Sequence, residues 1–481
     1  MTTFREAMEI EENVTYTENG AKAYKSSKNY CLDLFALGSS ARNMNDIDKE
    51  NLIINAFNQD SLTAMKIIFY IRDVRGGTGE RDFFRFAITK LIENGYGDSV
   101  VKNIRLIPEY GRWDDLYIFE PFKKYHSKLK DLLTKQLHND IVNKNNECKD
   151  ISLLAKWLKS ENTSSKESKR LARFTMNLLN LKPKEYRRVL SGLRKYLKIV
   201  ERDISAKTYD KINYENVPSR ASMVYRNAFK KNDEERYDKY LESVSKGEKK
   251  INTKNVLPYE IFNRIITSDN ETLEILWKNL PNYINEKNKN ALVMADVSAS
   301  MHGTPLSVSV STALYFAERC EGVFRNMFIT FSEDPEIVSI KGKTLKEKMQ
   351  NIDNSKWGFN TNINKAFEKI LEIAKEHSVS PEDMPRSIFI ISDMQFDSCV
   401  MGTNFDNMKE MYKNSGYELP TVVFWNVNAR NSQVPVKKDE NGTILVSGFS
   451  PVIFSQAMEH VTPEEHMEKV INGERYKPIM V

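Results

Sequence analysis

The chain has 481 residues, a formal net charge of +5 at pH 7 and a charged fraction of 28%, as is usual for folded globular proteins. No apolar run approaches the roughly 20 residues of a membrane-spanning helix, the N-terminus does not resemble a signal peptide, and the four cysteines form no CxxC pair. These observations argue against a membrane protein, a disulfide framework and a zinc knuckle. They predict a cytoplasmic protein of two or three domains.

After an N-terminal segment, residues 1–29, apolar side chains recur at helical spacing through residues 30–289. The predicted helices are short and are separated by turn signals such as RGGTGE and NLKPKEY. Short helices in series predict an all-α solenoid of irregular helical hairpins, and a plain helical bundle is the alternative. The glycine-rich stretch Val74–Glu80 lacks the GK[ST] ending of a phosphate loop and follows a helix, so we expect a left-handed turn there.

Charge is distributed unevenly, because residues 151–255 carry about +13 by count and residues 291–481 about −6. Lys and Arg neutralise phosphates, so the basic segment predicts contact with RNA, and solvated helix faces are the alternative. Tyr186 and Tyr196 lie among the basic residues and would stack on unpaired bases unless they belong to the core. The candidate RNA-binding residues, chosen by charge and spacing, are Lys184, Arg187, Arg188, Arg194, Lys195, Lys198, Arg220, Arg226 and Lys230.

The pattern changes at residue 290. Strand-like runs alternate with amphipathic helices through residues 290–481, and the near-continuous apolar runs are ALVMAD, NMFITFS, SIFIISD, PTVVFWNV and TILVSG. This alternation predicts a doubly wound, Rossmann-like α/β domain with a mostly parallel sheet covered on both faces. In that architecture, ligands bind at the carboxyl ends of the strands.

Oxygen-bearing side chains cluster at those predicted strand ends. The first strand runs into Asp296, Ser298 and Ser300, the loop WGFNTNIN presents Thr361 before a helix, and a later strand ends at Asp393. Two carboxylates and three hydroxyls, without a soft ligand, suit a hard cation such as Mg²⁺. The alternative is that the Asp and Ser residues cap the next helix.

Catalytic chemistry is not indicated, because no Ser-His-Asp set, general-base histidine or second metal cluster is recognisable. We therefore expect a protein that is not an enzyme, with a Mg²⁺-dependent hydrolase or nuclease as a minor alternative. Close to the predicted metal loop, we expect His302 to be a surface residue. Asp397, just past Asp393, either supports the metal ligands or caps a helix, and we favour the cap.

The pattern D-x-S-x-S, then Thr, then Asp resembles the metal-ion-dependent adhesion site of the von Willebrand factor A fold. The resemblance implies that Ser298, Ser300 and Thr361 ligate the metal directly, and that Asp296 and Asp393 bind it directly or through water. It further implies that the metal's open position takes a carboxylate or another oxygen from a partner.

A second resemblance covers nearly the whole chain. The stretches TAMKIIFYIRDVRGGTGERDFFR, IPEYGRWDDL and INYENVPSRASMVYRNAF, followed by ADVSASM, WGFNTNINKAFEKIL and ISDMQFD, resemble the TROVE module of the Ro ribonucleoprotein autoantigen and a related uncharacterised plant, microbial and phage family. This implies a monomeric ring of HEAT-like helices closed by an A domain. Such proteins bind structured RNAs on the outer surface and thread single-stranded RNA through the hole. We expect RNA binding, and the alternative is a protein-interaction scaffold that captures a partner's acidic side chain at the metal, without RNA.

Overall fold

The computed structural model describes residues 8, 12–148, 150–267, 271–286, 288–331, 335–353, 361–398 and 403–481. It forms two compact units, one comprising residues 1–83 and 254–478 and the other residues 84–253 and 479–481. We call the first the sheet unit and the second the helical unit. The domain boundaries expected at residues 29 and 289 stay predictions. Across the described ranges, no helix has the length and apolarity that a bilayer crossing requires.

Helices dominate the chain before residue 290. In chain order they are α1 Tyr30–Leu37, α2 Asp46–Gln59, α3 Ser61–Arg72, α4 Asp82–Leu91, α5 Gly97–Lys102, α6 Ile107–Tyr110, α7 His126–Asn145, α8 Leu154–Trp157, α9 Lys166–Leu179, α10 Pro183–Tyr196, α11 Val200–Ser205, α12 Ser219–Asn232, α13 Glu234–Ser245, α14 Pro258–Thr267 and α15 Glu271–Lys278. After residue 290 they are α16 Thr304–Arg319, α17 Leu345–Asp353, α18 Ile363–Glu376, α19 Asn404–Ser415, α20 Val452–Gln456 and α21 Pro463–Ile471.

Local sequence signals explain where these helices begin and end. Helix α9 starts after Ser165, whose side chain accepts a hydrogen bond from the amide of Ser168, and it ends at Asn180 in the left-handed conformation. The stretch KEYRRVLSGLRKYLKIVERDI, which reads as one helical run, is two helices, because the chain breaks between α10 and α11 where Lys198 has a φ of 49°. The solenoid arrangement stays a prediction.

The glycine-rich turn joins α3 to α4, as the sequence predicts. Gly79 has a φ of 74°, which supplies the left-handed residue. Gly77 is required by close packing, because a Cβ there would lie 1.9 Å from the carbonyl oxygen of Tyr70. This stretch is therefore a tight helix-to-helix connection.

The strands form a short hairpin and one six-stranded sheet. They are β1 Val14–Tyr16, β2 Lys22–Tyr24, β3 Ala291–Asp296, β4 Met327–Phe331, β5 Glu336–Ser339, β6 Ser387–Ser392, β7 Thr421–Asn426 and β8 Thr443–Ser447. The sheet order is β5-β4-β3-β6-β7-β8, and every neighbouring pair is parallel except β4 with β5. All residues of β3, β6, β7 and β8 are buried, so both faces of this part of the sheet are covered. The predicted helix-rich region followed by a mostly parallel α/β sheet is confirmed.

The order of the strands reverses at β3 and β6. From β3 the chain continues to β4 on one side and later returns to β6 on the other, with Ala295 opposite Ile391. This is the topological switch point, where parallel α/β sheets leave a crevice outside the strand ends. Asp296 ends β3 and Asp393 follows β6 directly, so the fold places these two residues side by side at that crevice.

The N-terminal part of the sheet unit packs directly against the sheet. Helix α1 contacts β7 and β8, and the side chains from Cys31 to Leu37 are buried. The hairpin of β1 and β2 is joined to the loop after β7 by two backbone hydrogen bonds of 2.9 Å between Tyr24 and Val434. The turn between β1 and β2 reaches the segment after β6 through a bridge between Gly20 and Asp397.

Candidate functional site

Two buried carboxylates form the centre of the candidate site. Asp296 is fully buried, and its two oxygens accept hydrogen bonds from the Ser298 amide at 2.9 Å and from the Ser392 hydroxyl at 2.6 Å. Asp393 is 1% exposed, and its oxygens accept from the Gln395 amide at 3.2 Å and from Arg430 Nη2 at 3.2 Å. Each carboxylate thus accepts one hydrogen bond from an amide two residues later in its own turn and one from a side chain of a different strand or loop.

The electrostatics of this pair favour a positive charge between them. Burial raises the pKa of the Asp296 carboxyl to about 7, and the nearby negative charge of Asp393 adds to the effect. Burial also raises the pKa of Asp393, against the opposing influence of the Ser300 hydroxyl, the Gln395 amide and the Arg430 guanidinium. Two neighbouring buried acids resist ionising together, and a cation held by both would remove that resistance.

The two serines stand beside the carboxylates. Ser298 is buried, Ser300 is half-buried, and their hydroxyl oxygens lie 3.1 Å apart. The alternation D-x-S-x-S places both hydroxyls with Asp296, and the Ser300 hydroxyl reaches Asp393. Ser298 does not cap α16 with its side chain, because that helix begins after Gly303. Four of the five predicted site residues are therefore linked in one chain of contacts, from Asp296 through Ser298 and Ser300 to Asp393.

Thr361, the fifth residue, is joined to this group through Asn19. It is 1% exposed, its hydroxyl lies 3.4 Å from Asn19 Nδ2, and the same Nδ2 donates to the carbonyl oxygen of Gln395 at 2.7 Å. Residues 357–360 of the predicted loop lie outside the described residues. No direct contact of Thr361 with either carboxylate is recorded in the described ranges.

Asp397 has a different role from the helix cap that the sequence suggested. Its Oδ2 accepts the Thr361 amide at 3.0 Å, and its own amide donates to the Thr361 carbonyl oxygen at 3.0 Å. The cap of the next helix, α19, is Thr403. The cap prediction is wrong, and Asp397 holds Thr361 beside the segment after β6. His302 is exposed, as expected.

Asp296, Ser298, Ser300, Thr361 and Asp393 are together called the candidate cation site below. Their donor atoms are all oxygen, which is the chemistry that hard cations such as Mg²⁺ prefer. Among the described residues, no group of three or more His, Cys, Asp and Glu side chains is arranged to hold a metal. The mixed set of carboxylates and hydroxyls fits a cation, because two buried negative charges favour a positive charge between them.

Sequence reasoning missed several residues around the candidate cation site. Ser392 lies directly before Asp393 and donates to Asp296, so its place at a strand end was a usable signal. Glu18, Asn19 and Arg430 gave no such signal, because they belong to segments remote in sequence. Arg430 donates to the Ser300 carbonyl oxygen at 2.5 Å and to Asp393, and it pairs with Glu18 at 3.1 Å.

In the helical unit, the predicted RNA-binding residues divide into two groups. In the first group, each basic side chain is engaged in a hydrogen bond or an ion pair within the protein. Arg194 donates to the carbonyl oxygens of Ala155 and Leu158 at 2.8 and 2.7 Å, and burial lowers the pKa of its guanidinium. Arg226 is buried and donates to the Met223 carbonyl oxygen. The other intramolecular pairs are Arg187 with Glu161 and Lys230 with Asp238 and Glu234.

The second group is exposed. Lys184, Arg188 and Lys195 lie within about 40° of one another on α10, given 3.6 residues per turn, and we call them the basic face of α10. Lys198 follows the helix and is also exposed, as is Arg220 on α12. The opposite side of α10 packs inward through Tyr186, whose hydroxyl donates to the Lys159 carbonyl oxygen at 2.8 Å. Tyr186 is therefore a core residue and does not offer its ring to a base.

Comparisons with known proteins match most of the chain. Residues 290–478 match a domain of unknown function, DUF7788, and residues 17–110 and 159–296 match another domain of unknown function, DUF2828. The uncharacterized protein L728 of Acanthamoeba polyphaga mimivirus is 29% identical, and the match spans 97% of this chain and 86% of the relative. The crystal structure of the Deinococcus radiodurans Ro (RSR) protein gives a TM-score of 0.46 at 13% identity, over 93% of this chain and 100% of that chain. None of these descriptions assigns an activity to this chain.

Proposed function

We propose that this chain is a non-enzymatic RNA-binding protein of the Ro type that also holds Mg²⁺, or a similar hard divalent cation, in an adhesion site of the von Willebrand factor A type. The cation part is supported by the contact of Asp296, Ser298, Ser300 and Asp393 at the switch point of the sheet. The RNA part is supported by the basic face of α10 and by the positive charge of the surrounding segment. The two parts lie on different units and are tested separately.

For the cation, the chain's own residues supply the negative charge and the orientation. The Ser392 hydroxyl and the Ser298 amide fix the Asp296 carboxylate, and the Gln395 amide fixes that of Asp393. Neighbours that hold a ligand's orientation are a usual requirement of metal sites. A bound divalent ion would supply a Lewis-acidic position for an oxygen of a partner.

Calorimetric titration with Mn²⁺ or Mg²⁺ tests the cation site. Wild-type protein treated with EDTA and dialysed is expected to bind one ion, and Asp296→Asn is expected to lose that binding because one of the two negative charges is gone. Asp383→Asn, which changes an exposed acid of the same unit, is the matched control. Equal binding by wild type and Asp296→Asn would refute the assignment.

For RNA, the basic face of α10 offers three charges on one side of a rigid helix. Lys144 lies close by, since its Nζ is 3.6 Å from where a Cβ on Gly192 would stand. Each phosphate that a basic side chain neutralises releases counterions, so affinity falls as salt rises. Three contacts to a single strand would give a slope of log affinity against log salt of about −2.

Fluorescence anisotropy with a labelled single-stranded RNA and a labelled hairpin tests this surface. The triple variant Lys184→Glu, Arg188→Glu, Lys195→Glu is expected to bind at least tenfold more weakly at low salt and to lose most of the salt slope. The control Lys369→Glu, Lys375→Glu, Lys413→Glu changes the same charge on exposed positions of α18 and α19. A common loss in both variants would mean that net charge alone is responsible, and this would remove α10 as the interface.

The scaffold alternative, capture of a protein partner's acidic side chain without RNA, is favoured by the same cation site. It is distinguished by the RNA titration, because a pure scaffold binds neither probe above the level of an acidic control protein. RNA incubated with Mg²⁺ and protein should stay intact on a gel, and shortened RNA would support the nuclease alternative.

A further inference from the structure

We propose that the turn Thr17–Gly20, between β1 and β2, lies over the entrance to the candidate cation site and inhibits ligand binding there. A carboxylate ligand would bind by displacing Glu18 from Arg430. We call these four residues the N-terminal turn. The inference rests on the proposed cation site and adds to it a regulating segment and the charge that the segment masks.

The N-terminal turn is tied to the residues that follow β6. The Thr17 hydroxyl donates to the Phe396 carbonyl oxygen at 2.7 Å, and the Glu18 amide donates to Gln395 Oε1 at 2.9 Å. Asn19 Nδ2 donates to the Gln395 carbonyl oxygen and approaches the Thr361 hydroxyl. The turn therefore touches one predicted ligand, Thr361, and the segment that carries another, Asp393.

Arg430 connects the N-terminal turn to the acidic centre. Its Nη1 pairs with Glu18 Oε2 at 3.1 Å, and its Nη2 donates to the Ser300 carbonyl oxygen at 2.5 Å and lies 3.2 Å from Asp393 Oδ2. Within the described residues, Arg430 is the basic side chain recorded in contact with a carboxylate of the site. One guanidinium thus bridges an internal carboxylate and the candidate cation site.

The positive charge of Arg430 determines how Glu18 affects the binding of a carboxylate ligand. A carboxylate from outside approaches two buried acids and needs positive charge at the rim, and the Arg430 guanidinium is a planar donor suited to carboxylates. Glu18 already uses one edge of that guanidinium, so it competes for the same donor as an incoming carboxylate. Glu18 reduces the apparent affinity of such a ligand until it is displaced.

The ion pair between Glu18 and Arg430 is accessible to a competing ligand, since the Glu18 side chain is 55% exposed and that of Arg430 is 29% exposed. Solvent-exposed ion pairs are weak, and breaking one changes an equilibrium by roughly two- to fivefold. The strands on either side keep their own anchors, because β1 pairs with β2 and Gln433 Nε2 donates to the Tyr16 carbonyl oxygen at 2.7 Å. The N-terminal turn can therefore move away while the hairpin stays in place.

The test uses glutarate, a dicarboxylate that mimics an acidic side chain, titrated into Mn²⁺-saturated protein in a calorimeter. Glu18→Gln keeps the size of the side chain and removes its charge, so the Mn²⁺-saturated variant is expected to bind glutarate two- to fivefold more tightly than Mn²⁺-saturated wild type. Arg430→Gln is expected to bind glutarate more weakly than wild type. Glu440→Gln, which removes a different ion pair, that with Lys409, is the control and should behave as wild type.

A second measurement follows the N-terminal turn itself in wild-type protein. Hydrogen exchange of the Glu18 amide, which is bonded to Gln395, should accelerate when glutarate is added to the Mn²⁺-loaded protein. If Mn²⁺ binds but Glu18→Gln takes glutarate no better and the amide does not respond, the displacement is wrong while the cation site stands. If neither wild type nor Glu18→Gln binds Mn²⁺, the cation site falls and the inference falls with it.

Discussion

Replacing Asp296 by Asn should stabilise the metal-free protein at neutral pH and destabilise it in acid. The carboxyl of Asp296 is fully buried next to Asp393, and its pKa is raised from 3.8 to about 7, first by burial and then by that neighbour. Folding therefore opposes ionisation of this group. In the absence of a cation, the site is a source of instability that an uncharged amide of the same shape removes.

The magnitude follows from the shift. A rise in pKa from 3.8 to about 7, at 1.36 kcal/mol per unit, corresponds to about 4 kcal/mol of lost stability once the pH exceeds 7. Asn keeps the bond from the Ser298 amide but turns an NH₂ towards the Ser392 hydroxyl, which costs about 1–2 kcal/mol. The net gain for Asp296→Asn is about 2–3 kcal/mol at pH 8.

The sign changes with pH. Well below pH 3.8, Asp296 is protonated in both the folded and the unfolded chain, so the wild type bears no penalty and the variant shows only its lost hydrogen bond. Between pH 4 and 7 the unfolded chain ionises while the folded one stays protonated, so the wild type loses stability as pH rises. The two stability curves should cross in this interval.

Native-state hydrogen exchange of the β3 and β6 amides, measured in EDTA from pH 4.5 to 8, reports the stability of the sheet unit directly. Asp383→Asn, at an exposed position, should follow the wild type throughout. Adding Mg²⁺ should stabilise the wild type and leave Asp296→Asn unchanged, by linkage between binding and folding. An Asp296→Asn protein that is less stable than wild type at pH 8 in EDTA would contradict the reasoning.

Three further predictions concern stability away from the candidate cation site. His466 is fully buried, and burial lowers the pKa of its imidazole from 6.5 to about 4. The free energy of unfolding of the wild type should therefore fall by up to about 3 kcal/mol between pH 6.5 and pH 4. Urea unfolding should show that His466→Leu lacks this fall. Arg194→Ala leaves two backbone carbonyls without a donor and should destabilise the helical unit by about 2–3 kcal/mol, seen as faster exchange of the α10 amides. Gly77→Ala forces a methyl against the Tyr70 carbonyl oxygen and should lower Tm by several degrees. Gly473→Ala, at a φ of −60° with the nearest atom 3.4 Å from the added Cβ, should cost less.

The sheet was predictable because four of its parallel strands are near-continuous apolar runs. Each of β3, β6, β7 and β8 is buried along its whole length, which is the signal that such runs carry. Strand β5 was missed because it is a short edge strand in which three of the four positions are exposed or half-exposed and one is buried. Three-residue strands such as β1 and β2 fall below what a period-two pattern can indicate.

The residues of the candidate cation site that directly follow a predicted strand could be found from the sequence, and the residues around it from other segments could not. Asp296, Ser298 and Ser300 follow one strand at alternate positions, and Asp393 follows another, so sheet topology brings them together. Glu18 and Arg430 are 412 residues apart, and each stands alone among ordinary neighbours. Their contact depends on how the hairpin docks, which no spacing in the sequence encodes.

The docking of α1 onto β7 and β8 has a consequence for how the chain is made. The strands that cover the apolar side of this helix are synthesised some four hundred residues after the helix itself, so its burial must await their synthesis. A fragment beginning at residue 290 would lack this cover and present bare apolar strands to solvent. Expression of the isolated sheet region should therefore yield aggregates, and adding back residues 12–83 on the same polypeptide should restore solubility.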